Sequence, residues 1–476
     1  MDAKRLCSRA LEELGIRLEV SQIAASELTI SEIQKMSARE SFEEIKKEKD
    51  SQIIENDLKE LSEKIKQVEQ GNIENKGSSF LITGATGFLG CHLLAEILEN
   101  SVTERIFCLV RGKSVEDSKK RLYHSLSQFK LLNLCNKKGF EERVVVLCSD
   151  ITNKDFGLES STLKEIQVCV SQVFHCAAVV NHILSYQFLR RTNVLATFEL
   201  ISFCKRNSAK MNYISSISVL ESNKKLDEKY DASDLTCKEI ECSGGYVATK
   251  IVCERLLRSC EGLKYTIFRA GMIAWNRFGI GNSNDWFCRL FSGIFETKCA
   301  PLSHLDNQFN LIPVDFLSSV VLRLSLSFYS VGQVFHLLSN AKNLTLGQIL
   351  DQAEKYRPKG TQLTPKEEET LSYVWKINRV PLREWQSFIS SKISSECLNK
   401  SSRNKERNAA VMGLEYFTKA SIPDDSNDKT QYASTFLFLR NLNSKEDSFN
   451  PECPSMEDRL FPFLDWLLRK KIQDLL

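Results

Sequence analysis

The chain has 476 residues, 42% apolar and 26% charged, an ordinary globular balance whose length allows two or three domains. Its 64 Lys and Arg against 61 Asp and Glu leave a net charge of +3, too weak a field to point to nucleic acid. There is no run of 18 apolar residues, and the N-terminus MDAKRLCSRALEELG is too densely charged for a secretory signal, so a cytoplasmic protein without a membrane span is expected.

The 16 cysteines are scattered, with no C-x-x-C pair and no Cys/His zinc spacing. Several lie inside apolar runs, such as Cys108 in RIFCLV and Cys148 in VVVLCSD. They read as reduced thiols acting as small core residues, and no metal site is expected.

In chain order, residues 1–40 read as amphipathic helices. Residues 41–70 are half charged and free of Gly and Pro, with Ile54, Leu58, Leu61, Ile65 and Val68 at 4-3-4-3 spacing. That is a helix with a narrow apolar seam, too short for a coiled coil, and it reads as a solvated linker spanning 41–77. From residue 78 to 300, short β-rich runs alternate with helical stretches. SFLITGA, RIFCLVR, RVVVLCSD, SQVFHCAAV, KMNYISSISV and KYTIFRAGMI predict buried strands, and HLLAEILEN, ATFELISFCKRN and YVATKIVCERLLRSC predict helices. Such alternation predicts an α/β fold: a Rossmann-type, doubly wound parallel sheet covered on both faces. All nine prolines lie at or after Pro301. Residues 301–476 therefore read as a smaller, helix-rich C-terminal substrate-binding region, with a hydrophilic flexible insert at about 392–428.

The first chemical motif is Phe80-Leu-Ile-Thr-Gly84-Ala-Thr-Gly87-Phe-Leu-Gly90, an apolar strand leading into three glycines and then a helix. Gly84 permits a tight turn, Gly87 lets the backbone approach a pyrophosphate, and Gly90 lets helix and strand pack closely. The next strand ends at Val110-Arg111-Gly-Lys113, where an acidic residue would select NAD and an Arg suits the 2′-phosphate of NADP. Arg111 thus points to NADPH, with Lys113 or Arg121 sharing the phosphate. Asp150, with Ile151 beside it, stands where a carboxylate could accept from the adenine amine; a cap on the following turn is an equally simple reading. Farther on, Tyr246 and Lys250 are four residues apart on a predicted helix, so both point one way. An ammonium beside a phenol favours the phenolate, which would lower the Tyr pKa towards a usable acid–base range. Ser215-Ser216-Ile-Ser218, after a strand thirty residues upstream, offers hydroxyls to polarise a carbonyl.

With these pieces in order, the chain resembles the thioester reductase branch of the extended short-chain dehydrogenase/reductases. That branch includes reductase domains of nonribosomal peptide and polyketide synthases, carboxylic acid reductases and aminoadipate reductase. The matching segments are ITGATGFLG, LVRGKS, SDI, VFHCAAVVNHILSY, TNVLAT, YISSISV, GGYVATK, FRAGMI, NLIPVDFLSSVVLRL, QVFHLLSN and NRVPLREW, spanning about residues 80–385. The resemblance implies Ser216, Tyr246 and Lys250 as the catalytic set, with Asn193 supporting the lysine. It further implies that Thr86, Phe88 and Leu89 meet the pyrophosphate and that Ala177, Ala178 and Val179 line the cofactor crevice beside Asn181. Cys176, Ala270, Ala196 and Ser149 depart from the family pattern, and two of them, Cys176 and Ser149, would reduce cofactor affinity. Residues 1–40 resemble the second half of an acyl or peptidyl carrier domain, whose phosphopantetheine serine would lie before Met1. The implied activity is NADPH-dependent reduction of a carrier-bound pantetheine thioester to an aldehyde or alcohol, in a channel built from residues after 301 and the loop 275–286. The substrate would arrive on a carrier domain in trans or fused in a longer protein. Two rivals stay open: a fatty acyl-CoA reductase, and an NADPH-binding scaffold without turnover. Because the linker is expected to bury little, removing residues 1–76 is expected to leave folding and NADPH binding nearly unchanged.

Overall fold

The computed structural model describes residues 50–71, 77–182, 184–220, 233–356, 376–385, 387–388 and 452–475. The carrier-like segment 1–40 and the insert at 392–428 lie outside the described residues. The principal elements are α1 (Asp50–Gln67), β1 (Ser79–Thr83), α2 (Phe88–Asn100), β2 (Ile106–Val110), α3 (Val115–Gln128), β3 (Val144–Cys148) and β4 (Val170–His175). They continue with α4 (Tyr186–Arg190), α5 (Ala196–Arg206), β5 (Lys210–Ser216), α6 (Gly245–Ser259), β6 (Tyr265–Ala270), α7 (Trp286–Thr297), α8 (Val314–Leu326), β7 (Val334–Leu337) and α9 (Met456–Leu475).

All six runs expected as strands are strands. With β7 they form one sheet in the order β7-β6-β5-β4-β1-β2-β3, every pair parallel. The runs are apolar on alternate and intervening positions alike because helices cover both faces. One face packs on α2, α3 and α8 through Leu93, Leu94, Leu122 and Leu317; the other packs on α1, α4, α5 and α6 through Ile54, Leu189, Leu200 and Leu256. The strand order reverses between β1 and β4, which opens a crevice beyond their C-terminal ends.

Two expectations change. The first is the single boundary at residue 300. β7 lies beyond it yet pairs with β6, whereas Trp275 and α7 lie before it and pack in a third core with Leu346, Trp385 and Phe463 of α9. The chain therefore passes between the sheet and the smaller body more than once. The onset of proline marks short edge strands, Cys299–Pro301 and Leu311–Pro313, and not the end of the sheet.

The second is the linker. α1 is part of the sheet domain, with Ile54, Asp57, Leu61 and Ile65 buried. Its seam lies against α6 and α5, and three polar contacts lock it. Asp50 accepts from the backbone N–H groups of Tyr186 and Gln187, capping α4. Asp57 accepts from the Tyr186 hydroxyl at 2.7 Å and pairs with Arg190 through Nε at 2.7 Å and Nη2 at 2.5 Å. Lys205 donates to the Ile65 carbonyl at 3.1 Å, near the end of the helix, where the same carbonyl also accepts from the Val68 N–H at 3.2 Å. A helix so held is structural, and the expectation that it only tethers does not stand.

Candidate active site

The glycine turn closes the crevice as the sequence required. Gly84 has φ +72, and a Cβ there would lie 2.7 Å from the Ala177 nitrogen and 2.9 Å from the Cys176 carbonyl carbon. A Cβ on Gly90 would lie 2.1 Å from the Gly84 oxygen. These two positions need glycine for space, and Gly84 also for conformation. Gly87, exposed before α2, would meet only the Gly84 oxygen at 3.2 Å, so the helix N-terminus stays open on its outer side. Backbone N–H groups at such an end suit a pyrophosphate, so the cradle fits a dinucleotide. Phe88 and Leu89 turn their side chains into the core, Phe88 against Phe129 at 5.1 Å. Only their backbone is available to a phosphate.

Arg111 follows β2 and is exposed, and Arg121 donates to the Arg111 carbonyl. A cleft of about 390 Å³ beside the glycine turn is lined by Thr86, Lys120, Arg121, His124 and Ser125. Lys120 and His124 were not singled out in the sequence, although with Arg121 and Ser125 they share one face of α3 by helical spacing. The Asp150 carboxylate accepts from the Thr152 N–H at 2.9 Å and hydroxyl at 2.8 Å. It caps the turn, the second of the two readings. Ile151 is half-buried against the second core, and Ser149 donates to the Phe156 carbonyl at 2.8 Å.

The proposed chemistry gathers at the C-terminal end of β5. Ser216 ends that strand, and its Oγ accepts from the Ser218 N–H at 3.2 Å. α6 begins at Gly244, with φ +89, and Gly245, whose Cβ would strike the Leu184 oxygen at 2.2 Å. That close entry brings Tyr246 and Lys250 over β5. Lys250 is 4% exposed and donates to the Ile214 carbonyl at 2.7 Å. Its ammonium lies 4.8 Å from the centre of the Tyr213 ring and 5.7 Å from that of Tyr246. Burial lowers the Lys250 pKa to about 8 and raises that of Tyr246 above the usual phenol value. The expected lowering of Tyr246 by its lysine is thus corrected: desolvation of the ring outweighs an ammonium nearly 6 Å away.

Asn193 sits in a π-turn, Arg191–Leu195, between α4 and α5. Its Oδ1 accepts from the Val179 N–H at 2.8 Å, and its Nδ2 donates to the Val179 carbonyl at 3.0 Å and to Thr249 at 3.2 Å. Its support for Lys250 therefore runs through the helix it braces and not through a direct bond. The crevice floor is tied by His175, hydrogen-bonded to Thr83 at 2.7 Å and Thr197 at 2.9 Å, with burial lowering its pKa to about 3. Ala177 and Ala178 are half-buried and Val179 is exposed, in the segment that follows β4. Asn181 turns inward to accept from the Leu184 N–H at 3.0 Å. His182, missed in the sequence, stands edge-on to Tyr246 with ring centres 5.2 Å apart.

The loop 275–286 is pinned by Asn276, which donates to His92 and to the Phe129 carbonyl, each at 3.1 Å. A second cleft, of about 500 Å³, lies against it, lined by Lys130, Leu131, Leu132, Arg277 and Phe278 among others.

Comparison with known proteins extends this picture. A family model for NAD-binding domains, described as Male sterility protein, matches residues 82–321. The chain is 31% identical over 275 residues to the nonribosomal peptide synthetase asaC of Aspergillus flavus, covering 56% of this chain and 26% of that protein. It is 24% identical over 391 residues to the L-2-aminoadipate reductase large subunit of Penicillium chrysogenum, covering 78% and 25%. The chain thus spans about a quarter of the length of these curated relatives. Among solved structures, the terminal R domain from the myxalamid PKS-NRPS pathway has a TM-score of 0.68 at 24% identity, covering 88% of this chain and 98% of that one. A thiolation-reductase di-domain from an archaeal non-ribosomal peptide synthetase has a TM-score of 0.60 at 21% identity, covering 99% and 90%. At these identities the two structures show the fold.

Proposed function

The chain belongs to the Male sterility protein family of NAD-binding domains, and from that premise we propose that it is an NADPH-dependent reductase of acyl or peptidyl thioesters carried on phosphopantetheine. The observation that carries the reading is the grouping of Ser216, Tyr246 and Lys250 at the end of β5, two strands from the glycine turn. Arg111, with Arg121 and the Lys120 and His124 of the same cleft, would hold the 2′-phosphate.

Held between the glycine turn and Lys250, a nicotinamide cofactor would supply the hydride that reduces the thioester carbonyl carbon. Ser216 and Tyr246 donate hydrogen bonds to the oxygen as negative charge grows on it. Tyr246, kept protonated by burial, then gives that oxygen its proton. The resulting hemithioacetal reforms a carbonyl as the C–S bond breaks, and the departing thiol, with a pKa of about 8.5, is a fair leaving group. Lys250 offers its remaining donors to the cofactor ribose. Nonribosomal peptide synthetases and a thiolation-reductase di-domain among the similar proteins support a carrier domain as the partner that delivers the thioester.

The test is to incubate the chain with an acyl thioester on a carrier, the same acyl group on CoA, and NADPH or NADH, and to identify products by mass spectrometry. Aldehyde or alcohol from the carrier thioester with NADPH is expected. Faster turnover of the CoA thioester would favour a fatty acyl-CoA reductase. NADPH binding without thioester-dependent oxidation would overturn the assignment in favour of a scaffold.

A further inference from the structure

Among the described residues Lys250 makes one hydrogen bond, to the Ile214 carbonyl, yet an ammonium carries three donors and is costly to bury with so little support. What lies beneath it is an aromatic face. Tyr213, on β5, is 1% exposed, and its ring centre is 4.8 Å from the lysine nitrogen, inside the range for attraction between a cation and a ring face. We propose that Tyr213 is a positioning residue for Lys250: its ring face holds the ammonium in place at the end of β5, beneath Tyr246.

The ring is fixed from several sides. Its hydroxyl neighbours the Cys253 thiol, one turn beyond Lys250 on α6, and that thiol donates to the Asn193 carbonyl at 3.2 Å. The His175 ring packs beside it at 5.8 Å, from the paired position on β4. Such an attraction is stronger where water is excluded, which is the setting here. It adds to the pull of Cys253, the Glu254 carboxylate and Cys176, which raise the Lys250 pKa against burial and help this buried lysine keep its charge near neutrality.

The other groups around the amine leave its titration legible. Burial lowers His175 to about 3, raises Cys176 to about 12 and Cys253 to about 11, and raises Tyr246. Glu254, on the next turn of α6, is committed to Arg269 of β6 at 2.6 Å and accepts from Ser215 at 2.6 Å. Lys250, at about 8, is the member of this cradle placed to change charge in the working range.

The role in turnover rests on the reductase reading, but the test does not. The full chain is labelled with ¹³C-lysine, and the Lys250 Cε resonance, assigned with a Lys250→Arg control, is followed against pH. Tyr213→Leu removes the ring. Pentafluorophenylalanine in place of Tyr213 keeps its shape while reversing the charge of its face, which guards against a Leu variant that fails to fold. In both, the titration midpoint should fall by about one unit or more, the size of a desolvated cation–ring attraction. Tyr213→Phe should leave it within a few tenths of a unit. An unmoved midpoint with the fluorinated ring, or an equal fall in Tyr213→Phe, would overturn the proposal. On the carrier thioester, kcat at pH 7 should fall about twofold or more with the fluorinated ring, as the charged fraction of a lysine at about 8 drops by one unit of pKa, and be restored by Phe. If the parent chain reduces no thioester, the reductase reading fails while the titration still decides the role of the ring.

Discussion

Asp57 offers the sharpest test of how the N-terminal helix is joined to the sheet domain. Its carboxylate is 3% exposed and carries three contacts, two from Arg190 and one from the Tyr186 hydroxyl. Removing one partner of a fully buried pair costs about 3–5 kcal/mol. Arg190 is 34% exposed, so water can recover part of its charge, and the ionic share falls to about 2 kcal/mol. The stranded Tyr186 hydroxyl, in a side chain with no exposed surface, adds about 1 kcal/mol. Asp57→Ala should therefore destabilise the domain by about 3 kcal/mol, and Asp57→Asn, which can still accept from Tyr186, by less. Urea unfolding followed by circular dichroism reads both, and adding Arg190→Ala to Asp57→Ala should cost little more because the pair is already broken. Deleting residues 1–71 removes this contact together with Ile54, Leu61 and Ile65, each contributing about 1.5–3 kcal/mol of burial. Loss of soluble protein, or a lower unfolding midpoint, is expected. A soluble deletion variant with the parent midpoint and NADPH affinity would refute the structural role of α1.

Three further outcomes bear on the crevice. Arg111→Ala should weaken NADPH by about tenfold to a hundredfold and leave NADH nearly unaffected, in direct titrations; equal losses would remove Arg111 from the 2′-phosphate. Tyr246→Phe should keep NADPH binding but lose about 10²–10⁴-fold in turnover, while Ser216→Thr should be nearly silent and Ser216→Ala should not. Normal rates in Tyr246→Phe would sink the mechanism. Finally, burial holds His92 and His175 neutral, with pKa values lowered to about 4 and about 3. The unfolded chain takes up these protons near pH 6.5, so stability falls as pH drops through that value, by about 4 kcal/mol for the two together at pH 5. In His92→Asn, the loss between pH 7 and pH 5 in urea unfolding should shrink by about half that amount.

Much of this molecule is legible along the chain because local rules govern it. Six strands are short and β-branched, and they are apolar on both faces, as a doubly covered sheet demands. Gly84 and Gly90 are required by clashes that any side chain would create within one turn of chain. Tyr246 and Lys250 share a face because helical periodicity puts them there. β7 escaped notice because four residues, Val334–Leu337, in a proline-bearing region resemble any apolar loop. What stayed hidden depends on partners far away in sequence. The seam of α1 was visible, and Asp57 lies on it between Ile54 and Leu61, but Arg190 is 133 residues distant. Without that partner in view, a polar residue in a narrow seam reads as a sign of solvent. The Tyr246 pKa fails for the same reason. The i,i+4 lysine is a local fact that argues for lowering, whereas desolvation is set by β5 and the crevice walls and wins. Tyr213 combines both cases: a tyrosine in a strand looks like core packing, and only the crossing of α6 over β5 sets an ammonium on its face. Patterns of one period identify a face that will be covered. The chemistry of that face is decided by whatever covers it.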